Sequence, residues 1–314
     1  MLLVLCLLLI LAETRGLVSF EATGEWVPAS PGDCEHFMCT PSKLTWRGNY
    51  NQTYYNNITG CDLLVSKGVR KVFFSGDSYL RHIFQALLIT LRGDFQFGSL
   101  AKEFHTQEKC GYREQFQHKE CSKVGYGSTD NRLCDNRIEF VADFLRPPWP
   151  ADGGGPQMEC AKEEGSVVLM SHGNHPLNHR MVSVNNPVMY QAYLNTTDRL
   201  CELKQANRDK WTGEIAPPHA CSHWWVSTHQ RVKAYFATEM PENVRYFNEH
   251  MRSYFDSQAS CGWFNYIDVF NMTQALIKDH PDDAREMSFD SVHWGMEVNM
   301  VKAQILLHAL ALSN

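Results

Sequence analysis

The segment Val69–Thr90 reads VRKVFFSGDSYLRHIFQALLIT. Its first half carries an apolar run at Val69, Val72, Phe73 and Phe74, which predicts a buried strand over residues 69–75. Its second half sets Leu80, Ile83, Phe84, Leu87, Leu88 and Leu91 at helical spacing, which predicts a helix over residues 79–91. Between the two stands the small polar triplet Gly76-Asp77-Ser78. A turn with Asp77 or Ser78 capping the helix accounts for it. So does a serine presented as a nucleophile where a strand turns into a helix, close to helix-start N–H groups.

Working outward, further strands are predicted at residues 138–144, 167–170, 224–228 and 264–269. Helical patterns run through 187–204, 242–255 and 297–312. Residues 93–136 are polar, hold three cysteines and read as a long loop or insertion; the run ADGGGPQ at 151–157 reads as another loop. Strands alternate with helices, and the strands are continuous apolar runs rather than alternating ones. This pattern predicts an α/β fold, a three-layer sandwich with a mostly parallel central sheet covered on both faces. In such sheets, sites lie just past the carboxyl ends of strands. Ser78 and the segment SHGNH at residues 171–175 both fall there.

The chain has 314 residues and no internal repeat. The apolar run Leu2–Ala12 suits the core of a signal peptide and is shorter than the ~20 residues of a membrane span. The expected organisation is a signal peptide over 1–16, an irregular, disulfide-tied, Cys-rich lead-in over 17–68, and a catalytic body over 69–314. Of 11 cysteines, Cys6 falls in the signal. The remaining ten could form five bridges, with pairings that the sequence leaves open. Four sequons, at Asn51, Asn57, Asn195 and Asn271, add to an expectation of the secretory pathway, either secreted or in the Golgi lumen. A net charge of −6 with no basic run argues against a nucleic-acid partner. His172, His175 and His179, with His219 and His223, show spacings that invite a metal. Pro176 interrupts a helix there, and no acidic partner stands at zincin spacing, so no metal and no cofactor are expected.

Two more stretches bear on chemistry. In FDSVHWG, Asp290 precedes His293 by three residues. On one turn its carboxylate can hold the imidazole Nδ1–H and leave Nε2 as a base; otherwise Asp290 caps the last helix beside a core histidine. In SHGNHP, the Asn174 amide can donate to an oxyanion and Gly173 leaves room for a substrate; otherwise the pair makes a tight turn. The order of GDS, GN and DSVH resembles the SGNH/GDSL hydrolase superfamily. The finer similarity is to its PC-esterase group, which includes the trichome-birefringence-like polysaccharide acetyltransferases and the sialic-acid O-acetyltransferase domain. Arg81 completes a GDSxxR block like that group's, and RIEFVADFLRP and VVLMSHGNH are similar to two of its other segments. The resemblance covers most of residues 69–310.

The resemblance implies Ser78 as nucleophile, His293 as base and Asp290 as the group that orients it. It also implies oxyanion donors at the Ser78 N–H and at Asn174, although the third block also aligns with His172 or His175 in that place. Gly125 and Gly127 are candidates for the superfamily's second-block glycine. Arg81 either assists the oxyanion or pairs with Asp77. The implied activity is O-acetyl transfer to a glycan through an acetyl-enzyme, with an acetyl donor or a donor-supplying membrane protein as a further partner. A carbohydrate acetylesterase with the same triad is one alternative. A catalytically silent glycan-binding protein on the same scaffold is the other.

Overall fold

The computed structural model of the chain describes residues 19–21, 23–48, 53–105, 108–117, 121, 132–144, 165–171, 221–235, 239–257 and 264–312. In chain order the elements are β1 (Ser19–Glu21), β2 (Gly24–Pro28), α1 (Pro31–Glu35), β3 (Leu44–Gly48), α2 (Asn57–Ser66), β4 (Lys71–Gly76) and α3 (Ser78–Arg92). There follow α4 (Glu114–Gln117), β5 (Arg132–Leu133), β6 (Ile138–Asp143), β7 (Ser166–Ser171), β8 (Cys221–Val226), α5 (Pro241–Ser257), β9 (Phe264–Asp268), α6 (Phe270–Asp279), α7 (Pro281–Glu286) and α8 (Met296–Leu312).

Among the described residues, seven strands form one sheet in the order β1-β9-β8-β7-β4-β6-β5; β2 and β3 make a separate antiparallel pair. Every neighbouring pair of the large sheet is parallel except β5–β6. The centre of the sheet is apolar on both faces. Val72, Phe73 and Phe74 of β4, Val168 and Leu169 of β7, and Trp224 and Trp225 of β8 are all almost wholly buried. Successive residues of a strand point to opposite faces, so burial of neighbours such as Phe73 and Phe74 requires cover on both sides.

That cover follows from the connections. The chain leaves β4 toward β6 on one side, then returns to β7 and steps to β8 and β9 on the other. The right-handed rule for parallel crossovers assigns helices on connections of opposite direction, such as α3 after β4 and α5 after β8, to opposite faces. Helix α8 packs against α3, and α2 packs against both. Sandwiched in this way, α3 buries Tyr79, Leu80 and all of His82–Leu91. Asp77 begins it, accepting the Tyr79 N–H at 3.0 Å. Gly93 ends it at φ 66°, a left-handed conformation that closes the last turn onto Ile89 and Thr90.

The expected α/β class, the mostly parallel sheet and its flanking helices are present, with each strand predicted from residue 138 onward, and the first, lying within three residues of its expected ends. The lead-in departs from expectation. It is built of regular elements: β1 is an edge strand of the large sheet, pairing Phe20 with Ile267, and α2 belongs to the helical layer. Three residues of β1, of which only Phe20 is buried, are too few to display a period. Helices α6 and α7 were likewise not anticipated.

Disulfides join Cys34–Cys39, Cys61–Cys134 and Cys110–Cys121; the second ties α2 to the turn between β5 and β6. Such bridges fit an oxidising compartment. Among the described residues, no helix is long and apolar enough to cross a membrane. The expected signal segment, the loop at 151–157 and the helical pattern at 187–204 lie outside the described residues.

Candidate active site

The large sheet reverses its direction of winding at β4 and β7, and the crevice past their carboxyl ends is where an open α/β sheet holds its site. Gly76 and Ser171 are register partners there. The two backbones run so close that a Cβ on Gly76 would lie 2.3 Å from the Ser171 carbonyl oxygen, which accounts for glycine at this position. Asp77 donates its N–H to that same oxygen at 3.2 Å and turns its carboxylate to the Tyr79 N–H. With Asp77 acting as the cap, the Ser78 hydroxyl is not needed for it. Ser78 Oγ lies 2.7 Å from His293 Nε2.

His293 comes from the short segment between α7 and α8. Asp290 shapes this segment by accepting the N–H groups of Val292 (2.9 Å) and His293 (2.6 Å) on Oδ1. The intervening Ser291 adopts φ 63°, the left-handed conformation that this tight turn demands. The other oxygen of Asp290, Oδ2, lies 2.6 Å from His293 Nδ1. A carboxylate accepts only, so Nδ1 carries the proton and the Nε2 lone pair faces Ser78. Burial pushes the Asp290 carboxyl up, but the hydrogen bond and charge of His293 and the two backbone donors outweigh it and hold the group below the ordinary carboxylate value.

The imidazole is packed on three sides. Phe289 stacks on it at a centroid distance of 5.6 Å, Tyr79 meets it edge-on at 5.6 Å, and the His82 ring is tilted against it at 5.2 Å. The His293 side chain keeps 19% of its surface exposed and Asp290 keeps 42%, so the serine–histidine pair opens to solvent on one side. His82 is wholly buried and its pKa lies well below 6.5, through burial and then the nearby charges of His293, Arg81 and Lys302. It is neutral at pH 7, and its Nε2 lies 3.2 Å from Arg81 Nη2. Arg81 is half-buried on the first turn of α3, three residues from Ser78, with its backbone N–H on the Asp77 carbonyl.

The structure therefore brings Ser78, His293 and Asp290 into one hydrogen-bonded line, with Arg81 on the same helix turn as Ser78. Gly173, Asn174, His172 and His175 follow Ser171 in sequence and lie outside the described residues, as do His179, His219, Gly125, Gly127, Asn51 and Asn195. Asn57 is exposed at the start of α2. Asn271 is exposed on α6, and its amide nitrogen donates to Asp268 Oδ2 at 2.5 Å. His223 is buried in β8. Among the described residues, no cluster of histidine, cysteine and carboxylate side chains could hold a metal ion.

Sequence reasoning passed over Tyr79, His82, His229 and Lys302, which surround the serine–histidine pair from behind. Two signals could have found part of this set. His229 lies three residues past the carboxyl end of β8, at the same end of the sheet as Ser78. Lys302 is a lone cation in the apolar run MVKAQILL. No protein-family model matches the chain, and no curated protein matches it significantly.

Proposed function

We propose that the protein is a serine acyl-enzyme that moves an acyl group from an ester donor to a hydroxyl acceptor. One observation carries this reading: the uninterrupted line Asp290 Oδ2–His293 Nδ1 at 2.6 Å and His293 Nε2–Ser78 Oγ at 2.7 Å, at the carboxyl edge of a parallel sheet. In the first step Ser78 Oγ attacks the acyl carbonyl carbon while His293 Nε2 takes the hydroxyl proton. Asp290 stays ionised and stabilises the imidazolium. The oxyanion lies at the amino end of α3, where the Ser78 N–H and the positive pole of the helix favour negative charge. Asn174 is the proposed side-chain donor. The tetrahedral adduct collapses, the ester C–O bond breaks, and the leaving alcohol takes the proton from His293. In the second step the acceptor hydroxyl gives its proton to His293 and attacks the acyl-serine carbon; the acyl–Oγ bond breaks, and His293 returns the proton to Ser78 Oγ.

The superfamily resemblance of the three motif blocks extends the proposal to an SGNH-type fold, an acetyl group and a glycan acceptor. This makes the protein a glycan O-acetyltransferase of the secretory pathway. Solvent access to His293 and Asp290 supports a second reading, in which water is the acceptor and the enzyme is a carbohydrate acetylesterase.

A fluorophosphonate probe tests the shared covalent step. The native protein should become labelled at one serine, and Ser78→Ala should abolish labelling while circular dichroism stays unchanged. Absence of labelling on the native protein would leave a glycan-binding role on the same scaffold. Acetylated oligosaccharide incubated with excess unacetylated acceptor then separates the two enzymes. Acetyl groups appearing on the acceptor mark a transferase, and free acetate at an unchanged rate marks an esterase.

A further inference from the structure

Behind the serine–histidine pair lies a buried polar network that a minimal triad does not require. Lys302 and His229 are almost completely buried, at 0% and 3% exposure. Lys302 Nζ lies 2.9 Å from His229 Nδ1 and 3.5 Å from Asn299 Oδ1. His229 Nε2 lies 3.4 Å from the carbonyl oxygen of Val292. A carbonyl can only accept, so Nε2 carries the His229 proton and Nδ1 accepts from the Lys302 amine. The lysine thereby selects the tautomer in which His229 donates to Val292.

The consequence reaches His293 through one peptide plane. The carbonyl of Val292 and the N–H of His293 belong to the same peptide unit. The carbonyl accepts from His229, and the N–H donates to Asp290 Oδ1 at 2.6 Å. Held at both edges, that plane fixes the Cα from which the His293 imidazole projects. The opposite arm is fixed by the same ring: His229 stacks on Tyr79 at 3.6 Å with planes 26° apart, and Tyr79 is the residue after Ser78. The Tyr79 hydroxyl in turn accepts from Arg231 Nε at 2.5 Å, and Arg231 is paired with buried Glu239. His229 thus touches both the residue that follows the serine and the residue that precedes the histidine.

We propose that His229, with its tautomer set by Lys302, is the positioning residue that holds Ser78 and His293 at hydrogen-bonding distance. The role in turnover rests on the acyl-enzyme reading above; the role in geometry does not. Replacing a buried polar pair wholesale by apolar side chains of similar size leaves no orphaned charge and is well tolerated. The double variant His229→Phe/Lys302→Met is therefore expected to fold with a melting temperature no lower than the native one, while fluorophosphonate labelling of Ser78 slows about 10- to 100-fold, as misplacement of reacting groups by about an ångström does. His229→Gln, which keeps a donor toward Val292, should restore most of the rate. A crystal structure of the double variant should show Ser78 Oγ and His293 Nε2 beyond hydrogen-bonding distance. Native labelling by a folded double variant would overturn the role in turnover, and an unchanged separation in its crystal structure would overturn the positioning role altogether. If the native protein does not label, the acyl-enzyme reading fails alone, and the crystallographic distance still decides whether His229 positions the pair.

Discussion

Asp290 performs two tasks with one carboxylate, and they are separable by a single atom. Oδ1 holds the turn through two backbone N–H groups, while Oδ2 fixes the His293 tautomer. Asp290→Asn can keep the first task and loses the second. An amide NH₂ facing Nδ1 favours the tautomer with Nε2–H toward Ser78, which is useless as a base. Labelling by the fluorophosphonate is expected to fall about 10²- to 10⁴-fold, the worth of a well-placed base, with thermal stability near native. A rate within a factor of about three of the native one would show that the carboxylate does not orient the base. At this scale the sequence was legible wherever residues act through neighbours on one turn. The Asp-x-x-His spacing matches a carboxylate oxygen on His293 Nδ1, and in Gly76-Asp77-Ser78 a helix cap and a presented hydroxyl coexist: Asp77 caps α3 while Ser78 Oγ meets His293. The pairing of His229 with Lys302 was hidden, because 73 residues separate them in sequence and only the folded chain brings them together.

At the scale of elements, the central strands declared themselves because a strand buried on both faces must be apolar without interruption, as in Val72-Phe73-Phe74 and Val167–Met170. Helix α8 declared itself by length, although it is buried on almost every side; its polar side chains Glu297, Asn299, Lys302 and Gln304 meet Arg113, Trp294, His229 and Tyr55. The lead-in was opaque for the opposite reason. Its elements are short, and α2 is specified by its cap more than by its face: the Asn56 side chain accepts the N–H groups of Ile58 and Thr59, and Thr59 accepts in return from Asn56. Such an element is held in place from outside. Its disulfide from Cys61 to Cys134 spans 73 residues of sequence, a loop whose closure constrains the unfolded chain by about 4 kcal/mol in the entropic account. Cys61→Ser/Cys134→Ser should lower stability by about 2–4 kcal/mol in denaturant titration. Because Gly60 of the same helix packs against Leu91 of α3, it should also increase hydrogen exchange along α2 before the sheet is affected. Uniform loss of protection across β4 and β7 at the same denaturant concentration would contradict a peripheral, externally tied α2.

Taken as a whole, the molecule buries bases both behind the candidate site and elsewhere, and this makes its stability depend on pH. His82 and His229 are wholly buried, and both have pKa values well below 6.5. Burial is the main cause; the charges of His293, Arg81 and Lys302 act on His82, and those of Lys302, His293 and Arg231 act on His229. His250 and His308 are shifted the same way by burial, less strongly. In each case the unfolded chain takes up a proton near pH 6.5 that the folded chain accepts only at lower pH, and for His82 and His229 only well below that value. Stability is therefore fully present above about pH 6.5 and is lost as pH falls through the folded values, by up to about 1.4 kcal/mol per pH unit for each such proton. Asp268 works the other way. Burial raises its carboxyl above 3.8, outweighing the donors from Phe270, Ser227 and Asn271, so its contribution is present below 3.8 and lost as pH rises through the folded value. One carboxyl cannot offset four histidines, and the net slope between pH 7.5 and pH 5 should be downward with acid. Lys302, whose pKa is pushed far below 10.5 by burial, adds to the same slope wherever the folded amine is neutral and the unfolded one charged. Guanidinium titrations at pH 7.5, 6 and 5 should show the unfolding free energy falling steeply with acid. The double variant His82→Gln/His229→Gln should fall less steeply over that interval, whatever its starting stability. An identical slope in the two proteins would mean that these imidazoles accept protons in the folded state, and that the interior behind Ser78 and His293 is open to water.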